Sequence, residues 1–232
     1  MKYRWSIAPA QPELAGRLAG AHSISSLLAQ CLINRGLSEQ EEIEAFLSPR
    51  LKQLADPFLL PNMRAAVDRL WRARENNERV VVFGDYDVDG VTSTTLLTEM
   101  LRELGWTVNS YLPHRMDEGY GLSEEGVCNC LEKYATTLLL AVDCGSTAVE
   151  AIASLKQRGT DVVVLDHHQV SEPAPEAAAL VNPQLLNGDR PNFQELCSAG
   201  LAFKLAHALV KDGRERGFPE ALEYDLRPLL DL

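Results

Sequence analysis

Three carboxylates follow one short apolar run. The stretch Val80–Ser93 reads VVVFGDYDVDGVTS, with Asp85, Asp87 and Asp89 at alternate positions just after the run. A Val- and Phe-rich run bounded by Gly is typical of a buried parallel strand. Like charges this close together repel each other unless a cation lies between them, and hard divalent cations prefer oxygen ligands. The stretch predicts a metal site at a strand end, the alternative being an acidic turn that faces solvent.

Further polar groups follow three other apolar runs. One polar group after an apolar run can occur by chance. Polar groups after four successive runs indicate one shared site. The groups are, in chain order, His114 and Arg115 after Thr107–Leu112, Asp143 after Thr137–Val142, and Asp166, His167 and His168 after Asp161–Leu165.

Helical stretches separate these runs, which predicts an α/β fold with a parallel β-sheet flanked by helices. In such sheets ligands bind beyond the carboxyl ends of the strands, where the polar groups stand. Residues 1–78 show no strand-like run and are predicted to form a helical N-terminal lobe, with the α/β domain at 79–232. The expected helices are Val91–Leu104, Ser123–Tyr134, Thr147–Arg158 and Ala199–Lys211, and Ala179–Val181 is a fifth strand candidate.

Carboxylates and imidazoles without Cys at matching positions favour Mn²⁺ or Mg²⁺ over structural zinc, and the imidazoles favour Mn²⁺. The number of potential ligands fits two ions roughly 3.5–4 Å apart, which activate water and stabilise charge on a phosphoryl group. The pattern therefore predicts phosphoester hydrolysis. Each group also has a structural alternative. His167 and His168 could be an ordinary loop pair, Asp143 a helix cap, and Arg115 a surface arginine rather than a phosphate clamp. Ser146 could offer its N–H to an anion at a helix start.

Composition limits the function classes. A net charge of −11 argues against a broad basic surface for nucleic acid, although bound cations would neutralise some of the acids. Five scattered cysteines form no CxxC pair, which fits reduced thiols in a cytoplasmic protein. The N-terminus lacks the apolar segment of a secretory signal, and no apolar run approaches the roughly 20 residues that span a membrane.

The four motifs, in this order, resemble the DHH phosphoesterase family over about residues 40–232. Asp166-His167-His168 is similar to the triplet that names the family, Asp85–Gly90 to its first motif and Asp143-Cys144-Gly145 to its third. The stretches Glu118–Leu122, Val181–Pro183 and Ser198–Gly200 resemble one branch, the RecJ single-stranded-DNA-specific exonucleases.

The resemblance implies 5′→3′ removal of nucleotides from single-stranded DNA in repair and recombination, with two Mn²⁺ or Mg²⁺ ions. It further implies single-stranded-DNA-binding protein and a helicase as partners, and no membrane. The implied metal ligands are Asp87, Asp89, Asp143 and His167. The implied catalytic residues are Asp85, as a ligand or an organiser of water, Asp166, as an orienting group, and His168, at the scissile phosphate or the attacking water. Substrate phosphates are expected at Arg115, Ser146 and His114.

One departure from the family pattern concerns the end of the sequence. RecJ relatives continue beyond the position of Leu232 into a segment with another acidic ligand, an associated domain and an oligonucleotide-binding fold. The sequence is therefore expected to be an N-terminal fragment that binds metal weakly and shows little nuclease activity alone.

Three alternatives remain open at this stage. Other members of the family hydrolyse short oligonucleotides or cyclic dinucleotides. Asp87-Val88-Asp89-Gly90 also resembles the opening motif of haloacid-dehalogenase phosphatases, which use the first Asp as nucleophile. A non-catalytic DHH scaffold in a replication assembly is the third, although such a protein should have lost several of the ligands.

Overall fold

The computed structural model describes residues 6–186 and 193–231. Its helices are α1 (Pro12–His22), α2 (Ser26–Asn34), α3 (Gln40–Leu47), α4 (Met63–Glu75), α5 (Val88–Glu103), α6 (Glu124–Lys133), α7 (Val149–Gln157), α8 (Ser198–Arg216) and α9 (Pro219–Leu222). Its strands are β1 (Arg79–Phe83), β2 (Thr107–Tyr111), β3 (Leu138–Val142), β4 (Asp161–Leu165) and β5 (Ala179–Val181). Short 3₁₀ segments occupy Leu51–Gln53, Pro57–Leu59, Pro183–Leu185, Phe193–Glu195 and Arg227–Asp231. Within the described ranges, no helix is both long and apolar enough to cross a membrane.

The chain divides into two compact units, Met1–Ala55 and Asp56–Leu232. In the first unit, α1, α2 and α3 enclose a small apolar core. Its fully covered side chains include Ala29 and Ile43, with Leu18 and Leu32 beside them. The helical lobe predicted from the sequence covers residues 1–78 and so extends beyond this unit.

Helix α4 lies in the second unit, together with the sheet, although the sequence assigned it to the N-terminal lobe. Its apolar face buries Val67, Leu70 and Trp71, and the helix packs on α8 and β5. An amphipathic helix is stable only where its apolar face is covered, and here the second unit covers it. The domain boundary predicted after residue 78 stays a prediction. The outer ends of the predicted domains, Met1 and Leu232, lie outside the described residues.

The five strands form one parallel sheet in the order β2-β1-β3-β4-β5. The prediction of a parallel sheet flanked by helices is confirmed. Register aligns Phe83 with Ala141 and Val142 with Leu165, so the carboxyl ends of the three central strands lie side by side. The residues that follow these ends therefore meet at one edge.

Apolar side chains cover both faces of the sheet, as expected for parallel strands that read as continuous apolar runs. Val81, Phe83 and Leu139 point into one core with residues of α6 and α7. The alternate residues Val82 and Leu140 are fully buried on the other face, where α5 contacts β1 and β2 and α8 contacts β4. Helices α5 and α8 also pack on each other, which brings the starts of both helices to the same edge of the sheet.

Candidate metal centre at the carboxyl edge of the sheet

The loop after β1 turns directly into α5. Asp87 is the N-cap of this helix, and its Oδ1 accepts the N–H of Gly90 at 3.0 Å. That bond satisfies one of the free N–H groups at the helix start. Helix α5 thus begins at Val88, three residues before the start that the sequence predicted, because the cap is Asp87. Asp89 consequently lies in the first turn of a helix.

Asp85 lies beneath this turn and is 2% exposed. Its Oδ1 accepts the N–H of Tyr86 at 2.7 Å. Burial raises the pKa of Asp85; the Tyr86 N–H partly offsets that effect, and the charge of Asp87 adds to it. Gly90 permits the close packing here, because a Cβ at that position would lie 2.4 Å from the carbonyl oxygen of Asp85.

Asp143 follows β3 with a left-handed backbone, at φ 62°, a conformation that few residues other than Gly, Asn and Asp adopt. The side chain is buried, and its Oδ1 accepts the hydroxyl of Ser198 at 2.8 Å. Burial raises the pKa of Asp143 to about 7, the Ser198 hydroxyl opposes this shift, and the negative charges of Asp89 and Asp87 add to it. A buried acid among other acids is a position that a cation would stabilise.

Asp166 follows β4 and organises the triplet it begins. Its Oδ1 accepts the N–H groups of His167 and His168 at 2.8 and 3.2 Å and lies 2.8 Å from Nδ1 of His168. Its Oδ2 accepts the N–H of Ser146 at 2.9 Å. Burial raises the pKa of Asp166, but the hydrogen bonds from Ser146 and His168 more than offset it, so the pKa lies below the ordinary value. Because the carboxylate is ionised, Nδ1 of His168 must be the donor.

The two histidines diverge from Asp166. Nε2 of His167 lies 3.5 Å from Oδ1 of Asp143 and 3.8 Å from Oδ2 of Asp89. His168 is half exposed, and its ring lies 4.4 Å from that of His167. Burial lowers the pKa of His168, whereas the hydrogen bond and charge of Asp166 raise it, and the net shift is upward. His167 thus faces Asp89 and Asp143, whereas His168 is fixed by Asp166 and keeps about half of its side chain exposed.

The structure brings together most of the predicted ligands. Ligand atoms of the predicted metal ligands Asp143 and His167 and of His168, which was predicted as a catalytic residue, lie within 4.8 Å of one another. Asp87 shares a hydrogen bond with Asp143, and this contact contributes to lowering the pKa of Asp87. Carboxylate oxygens with imidazole nitrogen form a donor set that suits Mn²⁺ or Mg²⁺. The residues present therefore fit the predicted cations.

The three residues predicted to contact substrate phosphates differ in how exposed they are. His114 and Arg115 are exposed on the loop after β2; His114 pairs with Asp117 at 2.7 Å, and the Arg115 guanidinium lies 4.8 Å from the ring centre of Tyr86. Ser146 is 1% exposed. Its N–H is bound to Asp166, so the structure places it under the triplet rather than on the surface.

The sequence singled out the stretches that contain Asn182 and Ser198 but missed the contacts by which they hold the triplet and Asp143. Asn182 follows β5, is fully buried and donates from Nδ2 to the Ser146 hydroxyl and to the carbonyl of His168, at 2.8 Å each. Ser198 contributes the hydroxyl bound to Asp143. A polar residue directly after the fifth strand was a usable signal for Asn182, whereas the sequence separation of 55 between Ser198 and Asp143 conceals their contact.

A second missed feature is the anchoring of the loop that carries Arg115. The Glu118 carboxylate accepts from the hydroxyl of Tyr111, from the N–H of His114 at 2.6 Å and from Nδ2 of Asn129 at 2.5 Å. These bonds tie the loop to β2 and α6. Tyr120 of this loop is 66% exposed, and its ring centre lies 6.3 Å from that of Tyr86. One exposed and one half-buried aromatic ring therefore lie beside Arg115.

A cavity of about 560 Å³ opens beside the triplet. Its lining joins the Tyr120 loop to the acids and to His168, so the aromatic loop and the candidate metal ligands border one space. The lining residues include Tyr120, Gly121, Asp143, Asp166 and His168.

Comparison with known proteins identifies relatives of this arrangement. The family model described as "DHH family, N-terminal domain" matches residues 79–229. A single-stranded-DNA-specific exonuclease RecJ of Bacillus subtilis is 36% identical over 209 residues, which cover 90% of this chain and 26% of the relative. The chain therefore spans about a quarter of the length of that curated relative.

Two solved structures are similar to the chain in fold and sequence. RecJ from Thermus thermophilus in complex with Mn²⁺ matches with a TM-score of 0.70 and 30% identity, over 94% of this chain and 30% of that one. An exonuclease RecJ bound to manganese matches with a TM-score of 0.61 and 39% identity, over 72% of this chain and 41% of that one.

Proposed function

The chain belongs to the DHH family, and from this premise we propose that it carries the metal centre of a single-stranded-DNA-specific exonuclease. One observation supports the proposal above the others. Asp89 of α5 and Asp143 of the loop after β3 lie 3.8 and 3.5 Å from Nε2 of His167, which follows β4, at the carboxyl edge of the sheet. The relatives that are exonucleases in complex with manganese share this fold and 30–39% of the aligned sequence.

We assign the binding of two Mn²⁺ or Mg²⁺ ions to Asp87, Asp89, Asp143 and His167. Bound ions of this kind lower the pKa of a coordinated water and stabilise charge on a phosphoryl oxygen. The protein contributes fixed ligands. Asp87 is held at a helix start, Asp143 by the Ser198 hydroxyl, and His167 by its N–H bond to Asp166. Ligands held in this way need little reorganisation when substrate binds.

Three further residues, Asp166, His168 and Asp85, are proposed to act in catalysis. Asp166 accepts from Nδ1 of His168, which orients the ring and favours its protonated form. The protonated ring leaves Nε2 as a donor toward a scissile phosphate oxygen or the attacking water. Asp85, which is buried and whose pKa is raised by burial, would organise bound water or complete the ligand set.

Substrate phosphates would bind on the exposed side of the centre. Arg115 and His114 lie on the loop anchored by Glu118, and Arg115 can pair with a phosphate through its planar guanidinium. Ser146 would act through its bond to Asp166. Tyr120 is exposed beside the half-buried Tyr86, whose ring lies under the Arg115 guanidinium, and an exposed aromatic face stacks unpaired bases with little sequence preference. A cationic group beside two rings suits a single strand better than a duplex, whose bases are covered.

The wider role follows from the same likeness. We propose 5′→3′ digestion in DNA repair and recombination, a cytoplasmic location, and single-stranded-DNA-binding protein and a helicase as partners. The net charge of −11 means that attraction of DNA depends on local groups such as Arg115 and on bound cations rather than on the overall field.

The test combines metal binding with hydrolysis. We expect Mn²⁺ to bind weakly by calorimetry, and the low hydrolytic activity of the loaded chain to favour a 5′-phosphorylated single strand over a duplex or a dinucleotide. Asp143→Ala should abolish both properties. Asp225→Asn removes an exposed carboxylate that pairs with Arg227 and should change neither. Preference for the dinucleotide would contradict the exonuclease assignment, and absence of Mn²⁺ binding would favour a scaffold.

A further inference from the structure

The start of α8 meets two of the proposed metal ligands. Asp89 accepts the N–H of Ser198 on Oδ2 and the N–H of Ala199 on Oδ1, both at 2.7 Å. Each carboxylate oxygen thus receives one backbone donor, which fixes the plane of the group. Asp89 belongs to α5, so these bonds join the first turns of two helices that pack on each other.

Ser198 makes a second contact at the same place. Its hydroxyl donates to Oδ1 of Asp143 at 2.8 Å, the oxygen that lies 3.5 Å from Nε2 of His167. Ser198 is fully buried, so its hydroxyl is shielded from competing water. A single residue therefore holds Asp89 through its N–H and Asp143 through its side chain.

Without Asp89, the first N–H groups of α8 would lack a side-chain acceptor. The N-cap of α8 is Cys197, whose side chain forms no capping hydrogen bond. The first N–H groups of a helix need acceptors, and negative charge is favoured there by the helix dipole. Because both of these N–H groups already bind Asp89, they are not free to bind a phosphate directly.

We propose that Ser198 is a positioning residue for metal binding, which sets the orientation of the Asp89 and Asp143 carboxylates relative to His167. The inference rests on the proposed function. A carboxylate has about four lone-pair directions, and the α8 donors use only one on each oxygen of Asp89. The remaining directions stay available for a cation. Partners of this kind orient metal ligands, and their loss typically lowers metal affinity by about 10–100-fold.

A capping role alone would predict a different outcome. If the contacts served only to stabilise α8, loss of the hydroxyl would lower the melting temperature and leave metal affinity unchanged. Ser198→Ala removes the hydroxyl but keeps the N–H bonded to Asp89, whereas Ser198→Thr keeps both donors. Thr160→Val is the matched control, because it removes a buried hydroxyl that donates to the carbonyl of Thr136 at the opposite edge of the sheet.

The experiment measures Mn²⁺ affinity by calorimetry, the electron paramagnetic resonance linewidth of bound Mn²⁺, and the melting temperature of the metal-free chain. We expect Ser198→Ala to weaken Mn²⁺ binding by about 10–100-fold and to change the linewidth. Ser198→Thr should restore affinity to within about threefold of the parent chain, well inside that range. Thr160→Val should lower only the melting temperature.

The outcomes separate the two proposals. If the parent chain binds Mn²⁺ and Ser198→Ala binds it equally well with the same linewidth, the positioning role is wrong and the proposed function stands. If the parent chain binds no Mn²⁺, both are wrong. Weakened binding in Ser198→Ala that Ser198→Thr does not restore would also overturn the assignment, because the hydroxyl would then not be the cause.

Discussion

His167 faces Asp143 across 3.5 Å, measured from Nε2 to Oδ1. The two residues follow neighbouring strands, β3 and β4, whose parallel register brings their carboxyl ends together. Neither strand end alone specifies a site. The pair makes one, because an imidazole nitrogen and a buried carboxylate oxygen then share a single position that a cation can occupy.

Replacement of Asp143 by Asn should give opposite effects on metal binding and on stability. The pKa of Asp143 is raised from 3.8 to about 7 in the folded chain, so the folded chain binds a proton that the unfolded chain has lost. Stability of the metal-free protein therefore falls as pH rises through this window. We expect Asp143→Asn to melt at the same temperature as the parent near pH 4 and a few °C higher at pH 8, at about 2–4 °C per kcal/mol.

The same variant should bind Mn²⁺ more than about tenfold more weakly, since an amide oxygen carries no charge. Titration calorimetry measures the loss of Mn²⁺ affinity, and scanning calorimetry in the same buffers measures the change in melting temperature. In the parent chain, Mn²⁺ affinity should rise with pH up to about 7, with proton release on binding. A pH-independent affinity would show that Asp143 is not a ligand.

The ionisation of His168 should depend on Asp166. The hydrogen bond and charge of Asp166 overcome the effect of burial and raise the pKa of His168. We expect Asp166→Asn to lower that pKa, because the amide carries no charge to stabilise the imidazolium. Titration of the His168 ring proton by NMR measures the change, with Asp117→Asn as control because Asp117 pairs with His114 instead. An unchanged pKa in Asp166→Asn would contradict the proposed orientation.

Arg115→Ala should weaken binding of a 5′-phosphorylated single strand in the Mn²⁺-loaded protein by roughly 10- to 150-fold, because a charge-assisted bond contributes about 1.5–3 kcal/mol. The slope of log affinity against log salt should fall by about one unit, since one phosphate contact is lost. Fluorescence anisotropy at several salt concentrations measures both. Arg158→Ala removes an exposed arginine at the far end of α7 and should change neither quantity. Equal losses in both variants would indicate nonspecific attraction.

Gly90→Ala should destabilise the second unit by about 1–3 kcal/mol. The added Cβ would lie 2.4 Å from the carbonyl oxygen of Asp85, so the turn that carries the three acids must shift, and Mn²⁺ affinity should fall with it. Gly16→Ala is the matched control. It lies exposed in α1 with open space around the new Cβ, and should stabilise that helix by about 0.5–1 kcal/mol. Denaturant titration measures the change in the free energy of unfolding. A neutral Gly90→Ala would show that the turn relaxes freely.

Local patterns were sufficient to predict the sheet. Continuous apolar runs such as Leu138–Val142 predicted buried parallel strands, and helices between them predicted the crossovers. The edge of the sheet that carries the site followed from the rule that ligands bind beyond strand ends. The predicted start of α5 was three residues too late, because Asp87 caps the helix ahead of the Thr- and Ser-rich sequence that follows.

The sequence by itself determined which residue types follow each strand, because strand and helix periodicities depend on neighbouring residues. It therefore predicted Asp143 and the triplet Asp166–His168 at one edge. Only the tertiary structure decided which oxygen meets which donor. The contact of α8 with Asp89 joins atoms more than 100 residues apart, and Glu118 anchors the Arg115 loop to both β2 and α6. Such contacts depend on how helices pack against each other, and no local pattern specifies that packing.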